Sequence, residues 1–218
     1  MKVSLIIPTK NEANSIERTL AEVPKGVVDE IIIVDGNSTD GTVDLVKKLG
    51  YKVIEKIGGG YGTAVRTGIK QSTGDVLIFM DADGSQNPKD IPRLLKKIEE
   101  GYDVGWGSRF LPGGGSADNT LVRSFGNWFF SLLTRITQGL KVADILYTFS
   151  AFKREIFDKI KLESPGFELC IELPLRAYKA GFKFGEVACF ERKRFADKTK
   201  VNDLMDGWKI LLAILKKY

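Results

Sequence analysis

Five short apolar runs, at residues 3–7, 31–34, 53–54, 76–80 and 104–106, are separated by stretches with helical periodicity, and this alternation constrains the chain most. The intervening segments, 12–23, 42–49, 61–71 and 88–100, often open at Asn, Asp or Pro and close at Gly, as helix ends require. Short β-rich runs alternating with helices predict a doubly wound, mostly parallel α/β sheet with helices on both faces. With 218 residues and 43% hydrophobic content, the chain suits a single domain with a full core. No internal repeat or second boundary interrupts it.

The later half differs in texture. Pro112-Gly113-Gly114-Gly115-Ser116 reads as a flexible loop that either connects elements or closes over a ligand. An aromatic helix over 121–137 follows, then segment 144–153, a helical stretch with Glu168 and Glu172, a strand near 184–189 and a terminal helix. Glu168 and Glu172 lie one helical turn apart, which fits a solvated acidic face or a site role.

Composition removes several function classes. Lys plus Arg exceed Asp plus Glu by 33 to 28, a net +5 that suits an anionic substrate or a membrane surface. Without a basic stripe interleaved with aromatics, no nucleic-acid partner is expected. Cys170 and Cys189 are the two cysteines and histidine is absent, which argues against a disulfide framework, a zinc site and histidine acid/base catalysis. The amino terminus enters a strand at once, so a cytoplasmic protein is expected. The 121–138 stretch carries Arg123, Asn127 and Arg135 and is too short and polar to cross a bilayer.

Asp81-Ala82-Asp83 directly follows the fourth apolar run. Ligands of open α/β sheets bind at the carboxyl ends of strands, and two carboxylates there can hold a hard divalent cation, Mg²⁺ or Mn²⁺, with positions left for phosphate oxygens. Capping of a following helix is the plain alternative. Familiar dinucleotide loops are excluded: Gly58-Gly59-Gly60-Tyr61-Gly62 fits neither Gly-x-Gly-x-x-Gly nor a P-loop, and Pro8-Thr9-Lys10-Asn11-Glu12 contains no glycine.

Residues 8–12, 35–42 and 81–83, in this order and spacing, resemble the family 2 glycosyltransferases of the GT-A fold. Gly107-Ser108-Arg109-Phe110, Asp144 ahead of Phe152, Gly166-Phe167-Glu168, and Arg194 with Lys200 resemble the dolichyl-phosphate mannose synthase branch. The resemblance implies that Pro8, Glu12 and Asp35 line a nucleobase and ribose pocket, and that Asp81 and Asp83 face metal and diphosphate, with Gln86, or Ser85 beside it, as a further metal ligand. For Glu12 and Asp40, helix capping is an equal alternative. Asp83, Arg109 and Arg194 are implied as catalytic, and Arg123, Asn127 and Lys200 as acceptor-binding. Asn127 lies one turn after Arg123 and shares its face.

The implied reaction is metal-dependent, inverting transfer of a hexose, mannose from GDP-mannose, to dolichyl or another polyprenyl phosphate. UDP-glucose as donor and a non-catalytic nucleotide-sugar-binding subunit are the alternatives. On this reading residues 1–110 form the nucleotide-sugar half, 111–200 the acceptor side and 201–218 an amphipathic helix. The chain departs from the branch at Lys10, where an aromatic residue is usual, at Thr148-Phe149-Ser150, where Gly-Phe-Arg or Gly-Phe-Lys is usual, and at Asp197 and Thr199.

Two stripes bear on membranes. Phe125, Trp128, Phe129, Leu132, Leu133 and Ile136 form one; Val201, Leu204, Met205, Trp208, Leu211, Leu212 and Leu215, with Lys209, Lys216 and Lys217 nearby, form the other. Each fits core packing or an interfacial helix, the latter implying peripheral attachment to the cytoplasmic face of a membrane.

Overall fold

The computed structural model describes residues 1–55, 58–196 and 203–218; Lys200, Val201 and the departures at Asp197 and Thr199 lie outside them. The first half alternates as its periodicity predicts: β1 (Val3–Thr9), α1 (Ile16–Ala21), β2 (Glu30–Asp35), α2 (Thr42–Lys48), β3 (Lys52–Glu55), α3 (Tyr61–Gln71), β4 (Val76–Phe79), α4 (Ile91–Glu99) and β5 (Val104–Ser108). The second half adds β6 (Gly115–Ser116), α5 (Leu121–Gln138), β7 (Ser150–Lys153), α6 (Glu155–Lys159), α7 (Leu169–Lys179), β8 (Phe184–Ala188), β9 (Phe190–Glu191) and α8 (Asp203–Leu215).

Among the described residues, seven strands form the main sheet in the order β3-β2-β1-β4-β7-β5-β8. β1 pairs in parallel with β2 and β4, and β5 with β8, whereas β7 runs antiparallel between β4 and β5. A separate parallel pair, β6 and β9, joins the glycine loop to the chain beyond β8. The strands bury both faces. Ile6, Ile32, Val34 and Phe79 pack with Ala64 and Val65 of α3, Leu169 and Leu173 of α7, and Ile210 and Ile214 of α8. Leu5, Ile7, Ile33 and Ile78, one residue out of phase, pack with Ile16 of α1, Val46 of α2 and Leu94 of α4. The two-residue period of a strand assigns alternate side chains to these two layers.

Three expectations change in detail. The helix predicted from residue 12 begins at Ile16, because Asn11 sits at a φ of 52° and Glu12 and Ala13 donate their N–H groups to the Thr42 hydroxyl and the Asp40 carboxylate. Residues 88–90 form a 3₁₀ turn that leads into α4. Segment 144–153 ends in β7, whose antiparallel insertion has no local signature.

The aromatic helix is only partly core, with Phe130 and Leu133 packed against the first layer. On α5, Phe125, Trp128, Phe129 and Ile136 are exposed, with Leu121 at 90% and Val122 at 80%, while Ser131 and Thr134 face inward. On α8, Met205, Trp208, Leu212 and Leu215 are exposed and Ile210, Ala213 and Ile214 are buried. No helix of the described residues is long and apolar enough to cross a membrane.

Candidate active site

A cavity of about 450 Å³ opens at the carboxyl edge of β1, β2 and β4. Pro8, Glu12, Asp81, Asp83 and Arg194 all line it, as do Lys10, Gly36, Tyr61 and Phe167. Its floor consists of two laced loops. The Asn11 N–H donates to the Ser38 hydroxyl at 2.8 Å, and Asn11 Oδ1 accepts from the Thr39 N–H at 2.8 Å. Asp40 accepts the N–H groups of Ala13 and Thr42 at 3.0 and 3.1 Å, bridging the loops and capping α2. Burial alone would raise its pKa, but these bonds and that from the Thr42 hydroxyl hold its carboxyl below the usual range. Glu12 accepts from the Ser15 hydroxyl at 2.6 Å and still faces the cavity.

Asp35 is 2% exposed and its two oxygens accept the N–H and hydroxyl of Ser38. Its neighbour Gly36 lines the cavity, while the Asp35 carboxylate builds the loop behind it. A direct ribose contact by Asp35 is not what this geometry offers.

At the end of β4 the acidic pair is held from three directions. Asp83 Oδ1 accepts the Ser85 N–H at 2.9 Å, and Asp83 Oδ2 lies 3.0 Å from Arg194 Nη1. Gly84, at a φ of 80°, packs so closely on the Phe195 ring that a Cβ would fall 2.3 Å from it. Asp81 Oδ2 accepts from Gln86 Nε2 at 3.0 Å, and the Asp81 N–H donates to Gln86 Oε1 at 2.9 Å. Gln86, expected as a metal ligand, clamps Asp81 through both its amide atoms. Burial and then the Asp83 charge push the Asp81 carboxyl up to about 7, with Arg194 opposing.

Asp81 and Asp83 supply hard oxygen donors on one cavity wall. Among the described residues, no group of three or more His, Cys, Asp or Glu side chains forms a closed metal cage. A pair of carboxylates of this kind fits a Mg²⁺-type ion that takes other oxygens from a phosphorylated ligand and water.

A second cavity, of about 190 Å³, adjoins the first. Arg123 and Asn127 of α5 line it together, as their spacing predicts, with Asp118, Asn119 and Tyr147 beside them. Arg109 lines it too, but not as an open cation. It is 7% exposed, its Nε and Nη2 donate to Asp144 at 2.6 and 3.0 Å, and its Nη1 donates to Glu191 at 3.1 Å. The guanidinium lies 5.0 Å from the centre of the Tyr147 ring. Arg109, expected to face a phosphate, is instead a buried strut that joins the end of β5, the segment before β7, and β9. Tyr147 itself is buried with its hydroxyl unpartnered among the described residues.

Tyr61, Asp81, Phe167 and Arg194 line both cavities. Arg194 spans them, with Nη1 on Asp83 and Nε 3.1 Å from Asp118. Sequence reasoning did not single out Tyr61, Asp118, Thr148, Phe167 or Glu191 as site residues. For Tyr61 a signal existed in the glycines around it: a Cβ at Gly60 or Gly62 would fall 2.2 Å from the carbonyl oxygen of Pro165 or Ser164. Such glycines mark a close approach of two segments. Glu172 is neither solvated nor in the cavities. It is fully buried and accepts the N–H groups of Glu163 and Ser164 at 3.1 and 2.7 Å and Nε of Arg176 at 2.6 Å.

Residues 4–161 match the family described as Glycosyl transferase family 2. The chain is 33% identical to an undecaprenyl-phosphate mannosyltransferase of Micrococcus luteus, over 86% of this chain and 82% of that one. It is 32% identical to a dolichol-phosphate mannosyltransferase of Pyrococcus furiosus, over 81% of this chain and 53% of that one. Its fold is similar to that of glucosyl-3-phosphoglycerate synthase from Mycobacterium tuberculosis, solved with Mn²⁺, UDP and glucosyl-3-phosphoglycerate, with a TM-score of 0.78 over 98% of this chain and 78% of that one at 22% identity. The match runs from β1 through α6, across the strand edge that carries the acidic pair, and the protein accordingly belongs to glycosyl transferase family 2, as a glycosyltransferase of the GT-A fold.

Proposed function

We propose that the protein transfers mannose from GDP-mannose to dolichyl or another polyprenyl phosphate, with inversion and with Mg²⁺ or Mn²⁺ at Asp81 and Asp83. The observation that carries this reading is the pair of adjoining cavities with Asp81 and Arg194 in their common wall. The larger suits a nucleotide sugar, and the smaller, with Arg123 and Asn127, suits a phosphate. The mannosyltransferase relatives support the sugar and the acceptor class.

A phosphate oxygen held by Arg123 and Asn127 attacks the anomeric carbon from the side opposite the departing diphosphate, which inverts the centre. A lipid monophosphate is ionised at neutral pH, so a chain without histidine needs to orient it more than deprotonate it. A divalent cation at the acidic pair supplies charge to the leaving group. Arg194 adds fixed positive charge at the border of the cavities, and Arg109, Asp144 and Glu191 brace the acceptor wall. Residues 1–110 carry most of the donor side and 111–200 the acceptor side, with Phe167 and Arg194 reaching back across and α8 serving as the amphipathic helix.

The acceptor's chain requires a lipid surface, and α5 and α8 both present exposed apolar residues for it. Their exposed apolar residues sit on the same helices whose Arg123, Asn127 and Ile210 line the smaller cavity, and Lys209, Lys216 and Lys217, in and just after α8, are exposed. Such a face docks peripherally on anionic headgroups.

Labelled GDP-mannose or UDP-glucose, incubated with the protein, polyprenyl phosphate and Mg²⁺ or Mn²⁺, tests the reading. Solvent-extractable label from GDP-mannose is the expected result. Label from UDP-glucose alone would reassign the donor, and metal-dependent nucleotide binding without extractable label would make the protein a binding subunit.

A further inference from the structure

The wall between the two cavities is aromatic on one side, and it is built with more bracing than a plain loop contact needs. Tyr61 and Phe167 stack with centroids 5.1 Å apart and planes 11° from parallel. Tyr61 opens α3, directly after Gly60, and Phe167 closes the loop before α7. The Thr63 N–H donates to Pro165 O at 3.1 Å, and Arg66 Nη1 donates to the carbonyls of Leu162 and Glu163 at 3.2 and 2.6 Å. From the other side, Glu172 takes the N–H groups of Glu163 and Ser164. Gly60 and Gly62 permit the contact, because any Cβ there would collide with the loop backbone.

The polar end of the wall reaches the acidic pair. The Tyr61 hydroxyl lies beside the Thr148 side chain, and both residues line the smaller cavity. Thr148 Oγ1 in turn accepts from Gln86 Nε2 at 3.2 Å, and Gln86 clamps Asp81. One connected unit therefore presents aromatic rings to both cavities and fixes a carboxylate at their border. A hexopyranose has that division of chemistry: a C–H face that packs on aromatic rings, and hydroxyls that need polar partners.

We propose that Tyr61, stacked on Phe167, is a positioning residue for the transferred sugar, holding the hexose at the junction so that its anomeric carbon faces the acceptor cavity. The inference rests on the donor reading above and adds the group that seats the sugar, separately from the nucleotide. Lys10, Gly36 and Glu12 lie on the strand-edge side of the larger cavity, whereas Tyr61 and Phe167 stand where the cavities meet. Loss of the ring should thus be felt by the sugar and not by the nucleotide.

The test is calorimetric titration, in Mg²⁺, of GDP and GDP-mannose, and of UDP and UDP-glucose, into the wild-type protein and the Tyr61→Leu, Tyr61→Phe and Phe167→Leu variants. Tyr61→Leu should weaken the sugar nucleotide roughly tenfold, the scale of one aromatic contact, and leave the free nucleotide within about twofold. Tyr61→Phe keeps the ring and should restore sugar-nucleotide affinity. Phe167→Leu, altering the wall from the loop side, should show the same split. Equal losses for nucleotide and sugar nucleotide in both leucine variants, or no loss in either, would overturn the inference while leaving the donor reading intact. Wild-type protein that binds neither nucleotide would overturn the donor reading and this inference with it.

Discussion

Arg109 holds its charge between Asp144 and Glu191, and all three side chains are buried. Removing the guanidinium leaves two carboxylates in a low-dielectric setting without a counter-charge, which is far costlier than losing a surface pair. Arg109→Ala should therefore lower unfolding free energy by about 3–5 kcal/mol in urea denaturation. A loss below about 1 kcal/mol, the range of an exposed pair, would contradict the strut. Arg109 stood out in the sequence because it follows a strand in a family-like motif, but its partners lie 35 and 82 residues away. A long-range ion pair leaves no local trace, so the residue was legible and its task was not. Gln86 shows the same limit: its nearness to Asp81 could be read, but not that its amide would close on the Asp81 carboxylate and backbone.

At the scale of elements, β1, β2 and β4 were readable because strands buried on both faces are near-continuous apolar runs. β7 was not, since its place inside the sheet is set by tertiary pairing with β4 and β5. For α5 and α8 the periodicity gave a stripe without saying what covers it, and the fold leaves most of its described residues exposed. If that face meets lipid, wild-type protein should float with vesicles containing anionic lipid, and the double variant Phe125→Glu, Trp208→Glu should stay at the bottom of the gradient. Each charge introduced at an apolar interface opposes insertion, whereas at an exposed position it leaves the fold intact. Equal flotation of both proteins, or of neither, would reject the lipid-facing assignment.

At the scale of the whole molecule, the parallel sheet gathers Pro8, Glu12, Asp81 and Asp83 at one edge, and the later half brings Phe167, Arg194 and the α5 residues against it. The first group was visible in the sequence because each residue lies at or just beyond the carboxyl end of an apolar strand run. The shared wall was not, because it depends on the loop before α7 meeting the start of α3. The central claim is a division of labour: donor diphosphate at the acidic pair, acceptor phosphate at Arg123 and Asn127. Steady-state transfer by Arg123→Ala, with each substrate varied in turn, measures that division most directly. The KM for polyprenyl phosphate should rise roughly tenfold or more, the worth of a hydrogen bond to a charged group, with the donor KM within about twofold of wild type. A rise confined to the donor KM would contradict the account.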